Sequence, residues 1–150
     1  MRLDFFMLAD GASSPDGKVY VHGGAVTRAS SPTLPTQVFV AGVLRLLVDP
    51  SDIGGPPHEV AFQWSRPDRA EWKTLLEAPV APSVPKGGIR EGEDVGFVIV
   101  AQMLIEFSVA GSHAIRVLLD GHEVCERRLY IDAPQGSGGG STAAETTVKE

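Results

Sequence analysis

FSVAGSHAIRVLLDGHEVCERRLYI, residues 107–131, holds two β-patterned runs joined at Asp120-Gly121. A tight hairpin turn needs positive φ at its central residues, and Asp followed by Gly tolerates this at little steric cost. Before the turn, Ile115, Val117 and Leu119 alternate with Ala114, Arg116 and Leu118, the period of a half-buried strand. A two-residue loop pairs Leu119 with His122 and Val117 with Val124, which sets Ile115, Val117, Leu119 and Val124 on one face. Past Val124 the next large apolar residues are Leu129 and Ile131, both out of phase with it. A one-residue slip turns every side chain to the opposite face, so the spacing predicts a β-bulge within Glu126-Arg127-Arg128. Ala110-Gly111 is the loop that brings the preceding strand round.

Working outward, the rest of the chain repeats this β grammar. Asp94 to Leu104 reads as a strand, with Ile105 to Val109 as a second one bending from it at Gln102. Val60, Phe62 and Trp64 alternate with Glu59, Ala61 and Gln63 in His58 to Ser65. Glu71 to Leu76 is either a short strand or one helical turn. Gln37 to Val48, QVFVAGVLRLLV, is a single central strand or a strand kinked at Gly42. Leu3 to Leu8 and Lys18 to Thr27 are further strands, and Gly23-Gly24 signals a bulge or a close backbone approach. The connections, 9–17, 29–36, 49–57 and 78–93, are rich in Gly, Pro and Asp.

Turn signals every ~8–12 residues, with no helical period between them, predict an all-β fold. The expectation is one antiparallel β-sandwich, immunoglobulin-like or C2-like, of about eight strands over residues 1–132. Its expected core is Phe5, Val19, Val21, Val40, Leu44, Leu46, Phe62, Trp64, Phe97, Ile99, Ile115, Val117 and Leu119. From Ala133 the chain becomes APQGSGGGSTAAETTVKE. That composition buries too little to offset ordering entropy, so 133–150 is expected to be a disordered tail.

The composition excludes several classes. The net charge of −6 and pI near 5.2 argue against nucleic acid, which needs a basic patch, and against anionic membranes. One cysteine, Cys125, excludes an internal disulfide. MRLDFFMLADGA is not expected to act as a signal peptide, since Asp4 and Asp10 break its apolar run. A cytoplasmic protein is expected.

Candidate chemistry is sparse. His22, His58, His113 and His122 follow no metal-ligand spacing. Asp10, Asp16, Asp49, Asp52 and Asp120 lie at turns, where calcium-binding sandwiches place their ligands, but turn geometry alone accounts for Asp there. Cys125 with a histidine would make a nucleophile pair, yet a thiol inside a strand is usually inert. Ser13-Ser14 and Ser30-Ser31 lack a nucleophile elbow, and Gly23-Gly24 and Gly54-Gly55 lack a phosphate-loop context. Trp64 and Trp72 are either core residues or an aromatic platform for a sugar or a Pro-rich peptide. No catalytic residue, metal site or cofactor is assigned, and an enzyme is not expected.

LDFFMLADGASSPDGKVYVHGG, LPTQVFVAGVLRLLV and GSHAIRVLLDGHEV together resemble a family of small bacterial proteins of unknown function. In that family's closing motif a Tyr stands where this chain has His113. The resemblance covers most of residues 3–131, implies a single β-sandwich domain and transfers no catalytic residues. The high Ala, Gly, Pro and Arg usage resembles that of a high-GC bacterium or its phage. The expected function is a non-enzymatic module that recruits a protein partner through sheet-edge pairing or end loops. The alternatives are a structural subunit of a homo-oligomer or particle, and a calcium- or carbohydrate-binding sandwich.

Overall fold

The computed structural model describes residues 1–84, 88–90 and 92–133. Their strands are β1 (Arg2–Ser13), β2 (Tyr20–Gly24), β3 (Arg28–Ala29), β4 (Thr36–Val48), β5 (His58–Ser65), β6 (Trp72–Val80), β7 (Val95–Phe107), β8 (Gly111–Leu119) and β9 (His122–Ile131). They build the expected β-sandwich: one sheet in the order β2-β1-β4-β7, the other in the order β3-β9-β8-β5-β6. Pairing is antiparallel apart from a short parallel contact of Arg28 and Ala29 with Tyr130 and Ile131. The tail expected beyond Ala133 lies outside the described residues.

β4 does not kink at Gly42. It pairs with β7 in unbroken register from Thr36↔Phe107 to Val48↔Val95. Gly42 serves packing instead. A Cβ there would lie 3.0 Å from Phe62 Cε1, 3.2 Å from Met103 Cε and 3.3 Å from Phe6 Cε2. With no side chain at this point, Phe6 and Phe62 from opposing sheets meet at 6.0 Å between ring centroids. β7 likewise runs unbroken through Gln102, and of Glu71 to Leu76 all but Glu71 belong to a strand, β6, that continues through Pro79 to Val80.

β1 carries the first correction to the expected core. It continues through Asp10-Gly11, read as a turn, because Ala9, Gly11, Ala12 and Ser13 pair with β2. Asp4 is an extra residue in its pairing with β4: Leu3 opposes Leu46 and Phe5 opposes Arg45. That bulge inverts the phase, so Phe6 enters the core and Phe5 packs on a small outer cluster with Ala9, Ala41 and Val43. Val19 packs on the same outer cluster, and Val21 is exposed on β2. Phe97 and Ile99 are only half-buried, because β7 is the last strand of its sheet. Val40, Leu44, Leu46, Phe62, Trp64, Ile115, Val117 and Leu119 are buried as expected, joined by Leu8, Ile105, Phe107, Leu129 and Ile131.

The hairpin has the expected turn, with φ of 51° at Asp120 and 78° at Gly121. Its bulge exists but sits nearer the turn than Glu126. Leu118 opposes Glu123 and Val117 opposes Cys125, which leaves Val124 as the extra residue. The shift turns Leu129 and Ile131 inward. It also aims Arg127, opposite Ile115, at the neighbouring sheet, where its Nε donates to the Phe6 carbonyl at 3.2 Å. Asp120 ties the turn to β5: its amide donates to the Glu59 carbonyl at 2.8 Å, and its Oδ1 accepts from the Glu59 amide at 2.9 Å.

Gly42→Val should lower stability by about 1–3 kcal/mol, because three packed side chains must move to admit the branched group. Denaturant unfolding with an unchanged slope checks this. A variant as stable as the parent would show that the ring contact is not tight.

Candidate functional site

An unpaired strand edge offers a row of main-chain donors and acceptors, and folded proteins usually blunt it. Most edges here are blunted. β2 and β3 are short. β6 carries Lys73, Glu77 and Pro79, and Leu75 bulges from its pairing with β5. The N-terminal half of β1 is capped, since its Phe6 carbonyl accepts from Arg127 and its Leu8 carbonyl accepts from the Val26 amide at 3.0 Å. β7 differs. It is thirteen residues long, without proline, and unbulged against β4. Among the described residues no strand pairs with its other edge.

β6 and β7 end their respective sheets on the same side of the sandwich, and a groove of about 530 Å³ opens between them. β7 contributes Leu104, Ile105 and Glu106; β6 contributes Trp72, Lys73 and Leu75; Trp64 lies behind. Leu104 is 58 % exposed and stands directly opposite Phe39, itself 50 % exposed. The groove is therefore flanked by an apolar pair on the outer face of the sheet.

Trp72 is held in place by its neighbours. The Arg116 guanidinium lies 4.0 Å from the ring centroid and donates to Gln63 Oε1 from Nε at 2.9 Å and Nη2 at 2.8 Å. At the groove's end Arg66 makes a two-pronged contact with Asp68, at 2.9 and 2.8 Å. That contact holds the Asp68 carboxyl below its ordinary range. Ser65 Oγ donates to the carbonyls of Arg66 and Arg69, which ties the loop. Arg69, Lys73, Glu71 and Glu106 complete a rim of both charge signs. Apolar walls beside a strand edge suit an extended polypeptide, whose main chain pairs while alternate side chains enter the groove.

The two tryptophans thus divide the roles that the sequence left open for both. Trp72 lines the groove, and Trp64 is mainly core. Its indole stacks on His113 at 5.7 Å between centroids and donates from Nε1 to His113 Nδ1 at 3.2 Å. With Nδ1 accepting, the His113 proton sits on Nε2 and is donated to the Val109 carbonyl at 2.9 Å. Phe107 packs edge-on against both rings. His113 is fully buried, and burial pushes its pKa down. The Val109 hydrogen bond opposes that shift in part, Arg66 adds to it and Asp68 opposes it.

The remaining candidates are scattered, with one exception. Asp49, Asp52, Asp120 and His58 do converge at the other end of the sandwich. His58 Nδ1 meets Asp120 Oδ2 at 2.7 Å, and its Nε2 meets Asp52 Oδ1 at 3.4 Å. The Met1 amino group lies 2.6 Å from Asp52 Oδ2 and 3.3 Å from Asp49 Oδ2. Protein cations and amides hold these carboxylates, which lowers the pKa of Asp52, chiefly through the amino group, and of Asp120, chiefly through His58. No group of three or more metal-ligating residues with the geometry to hold an ion occurs among the described residues. Asp10 lies on β1 beside Gly23, whose missing Cβ would collide with the Asp10 carboxylate, the close approach expected at Gly23-Gly24. Asp16 occupies a short turn at φ 54°. His22 and His122 are exposed. Cys125 is half-buried; its Sγ contacts the Glu126 carbonyl at 3.7 Å, and burial raises the thiol pKa. Ser31 Oγ donates to the Thr33 carbonyl within a turn.

Comparison with known proteins finds a family described as a family of unknown function, DUF6941, whose sequence model matches residues 4–132. Among solved structures, an immunoglobulin-like protein from Pseudomonas aeruginosa is similar. It is 14 % identical, with 87 % of this chain and 95 % of that one covered and a TM-score of 0.35. No curated protein matches the sequence. Among the described residues no helix is long and apolar enough to cross a membrane.

The buried His113 links stability to pH. Unfolded, its imidazole takes up a proton near its ordinary value of 6.5; folded, it does so only at lower pH. Its contribution is therefore complete above about pH 6.5 and is lost as pH falls from there. His113→Phe should abolish that part of the decline. It should also lower stability at neutral pH by about 2 kcal/mol, because the Trp64 N–H and the Val109 carbonyl lose their partner. Melting curves between pH 5 and 8 test both effects, and an unchanged pH profile in the variant would refute the linkage.

Proposed function

The chain belongs to a family of unknown function, DUF6941, and from that starting point we propose that it is a non-enzymatic protein-binding module. Its ligand is an extended segment that adds as a strand to β7. The observation that carries this reading is the β7 edge itself: long, regular, apolar and unpaired among the described residues. Main-chain hydrogen bonds along such an edge supply affinity, and the side-chain pockets beside it supply selectivity. Trp72, Leu75 and Ile105 form the apolar pocket; Lys73 and Glu106 stand where they would read polar side chains. The absence of a nucleophile–base constellation in the sequence favours a binding role over catalysis. The lone cysteine supports a cytoplasmic setting.

Leu104→Lys tests the proposal. The side chain is more than half exposed, so stability should change by no more than about 0.5 kcal/mol. A lysine on the edge strand should nonetheless abolish capture of the partner. Affinity purification with parent and variant, followed by hydrogen exchange on the recovered complex, reads this out. Capture lost in the variant together with new protection in β7 is the expected result. Equal capture by both proteins, or protection confined to other strands, would overturn the reading.

A further inference from the structure

We infer that the strand accepted by β7 is β7 of a second copy of this chain, joined in antiparallel fashion about a twofold axis through Ala101. This rests on the strand-addition reading and names its partner.

The side chains of β7 sort cleanly between two faces. Phe97, Ile99, Ala101, Met103, Ile105 and Phe107 oppose inward residues of β4, whereas Gly96, Val98, Val100, Gln102, Leu104 and Glu106 lie on the outer face. In a continuous sheet, paired residues share a face, so only registers that match odd with odd positions are allowed. Centring on Ala101 sets Leu104 against Val98 of the second copy, Gln102 against Val100 and Glu106 against Gly96. On the inner face Phe97 meets Ile105 and Ile99 meets Met103. The exposed Leu104 thus gains an aliphatic cross-strand neighbour.

Charge selects this register. Arg45 of β4 opposes Val98 but extends over Gly96: a Cβ at Gly96 would lie 2.7 Å from Arg45 Nη2. Asp4 holds Arg45 Nη1, while Nε and Nη2 lie over Gly96 of β7. In the Ala101-centred pairing each Glu106 carboxylate arrives at that guanidinium of the other copy, and symmetry makes the contact twice. Sliding two residues one way would bring Glu106 opposite Asp94, a like charge; sliding two the other way would bring it opposite Val98. Gly96, lacking a side chain, is therefore the opening through which Arg45 of β4 reaches toward the edge of β7. The pairing uses the same edge on both copies, so the assembly closes as a dimer and presents no further β7 edge.

Light scattering and sedimentation of the purified chain over a wide concentration range should show a monomer–dimer equilibrium. Glu106→Arg alone and Arg45→Glu alone should each weaken the dimer about tenfold or more, since each creates two like-charge contacts. Mixing the two variants should restore association to near the parent value, because both contacts in the mixed dimer then pair opposite charges. Thermal melts of each variant separate loss of pairing from loss of fold, since an unfolded variant cannot be rescued by mixing. Hydrogen exchange at high and low concentration should show added protection at the β7 amides that face away from β4, and only in the dimer. A strict monomer, a dimer indifferent to both reversals, or association without β7 protection would overturn the inference. A strict monomer that still captures a partner in a Leu104-dependent manner would leave the strand-addition reading standing with a different occupant.

Discussion

The central constraint on this molecule is the unbroken ladder between β4 and β7. Every residue from Thr36 to Val48 has a partner on β7, with no bulge to absorb an error. Both strands must therefore keep strict alternation, and the core has to accommodate whatever that alternation delivers. It delivers Gly42 at the point where Phe6 and Phe62 converge from opposite sheets. The glycine lets two aromatic rings meet directly over an unbulged strand. The same regularity leaves the far edge of β7 straight and pairable. In this fold, the feature that orders the core and the feature that leaves an open strand edge among the described residues have one cause.

Elsewhere the chain departs from regularity wherever a side chain must be redirected. The bulge at Asp4 exchanges Phe5 for Phe6 in the core. The bulge at Val124 turns Leu129 and Ile131 inward and sends Arg127 to the Phe6 carbonyl. These two irregularities cooperate, because the residue that the first places in the core is the residue whose backbone the second caps. Arg127 also lies 6.0 Å from the Phe6 ring centroid, within reach of a cation–π contact. The capped edge of β1 and the edge of β7, uncapped among the described residues, belong to the same sheet, and this contrast singles out β7.

His113 illustrates how a polar residue settles in an apolar core. Its two nitrogens satisfy one donor, the Trp64 indole, and one acceptor, the Val109 carbonyl. A tyrosine, which stands here in the family that the sequence resembles, has a single hydroxyl to offer. The histidine carries both bonds on opposite sides of one ring, at the cost of a pH-dependent core.

The sequence by itself determined the fold class, most strand positions, the Asp120-Gly121 turn and the need for a bulge in β9. These follow from alternation and from which residues tolerate positive φ, both local properties. Phe5 against Phe6, the course of β1 through Asp10-Gly11 and the site of the second bulge were decided by the tertiary structure. In each case two local readings are close in energy and pairing with a distant strand selects one. The groove between β6 and β7 was not legible at all. Trp72 and Leu104 are 32 positions apart in the chain, and nothing local says that their strands end different sheets on the same side. Whether a strand is an edge depends on what lies beside it, and only the assembled sandwich specifies that.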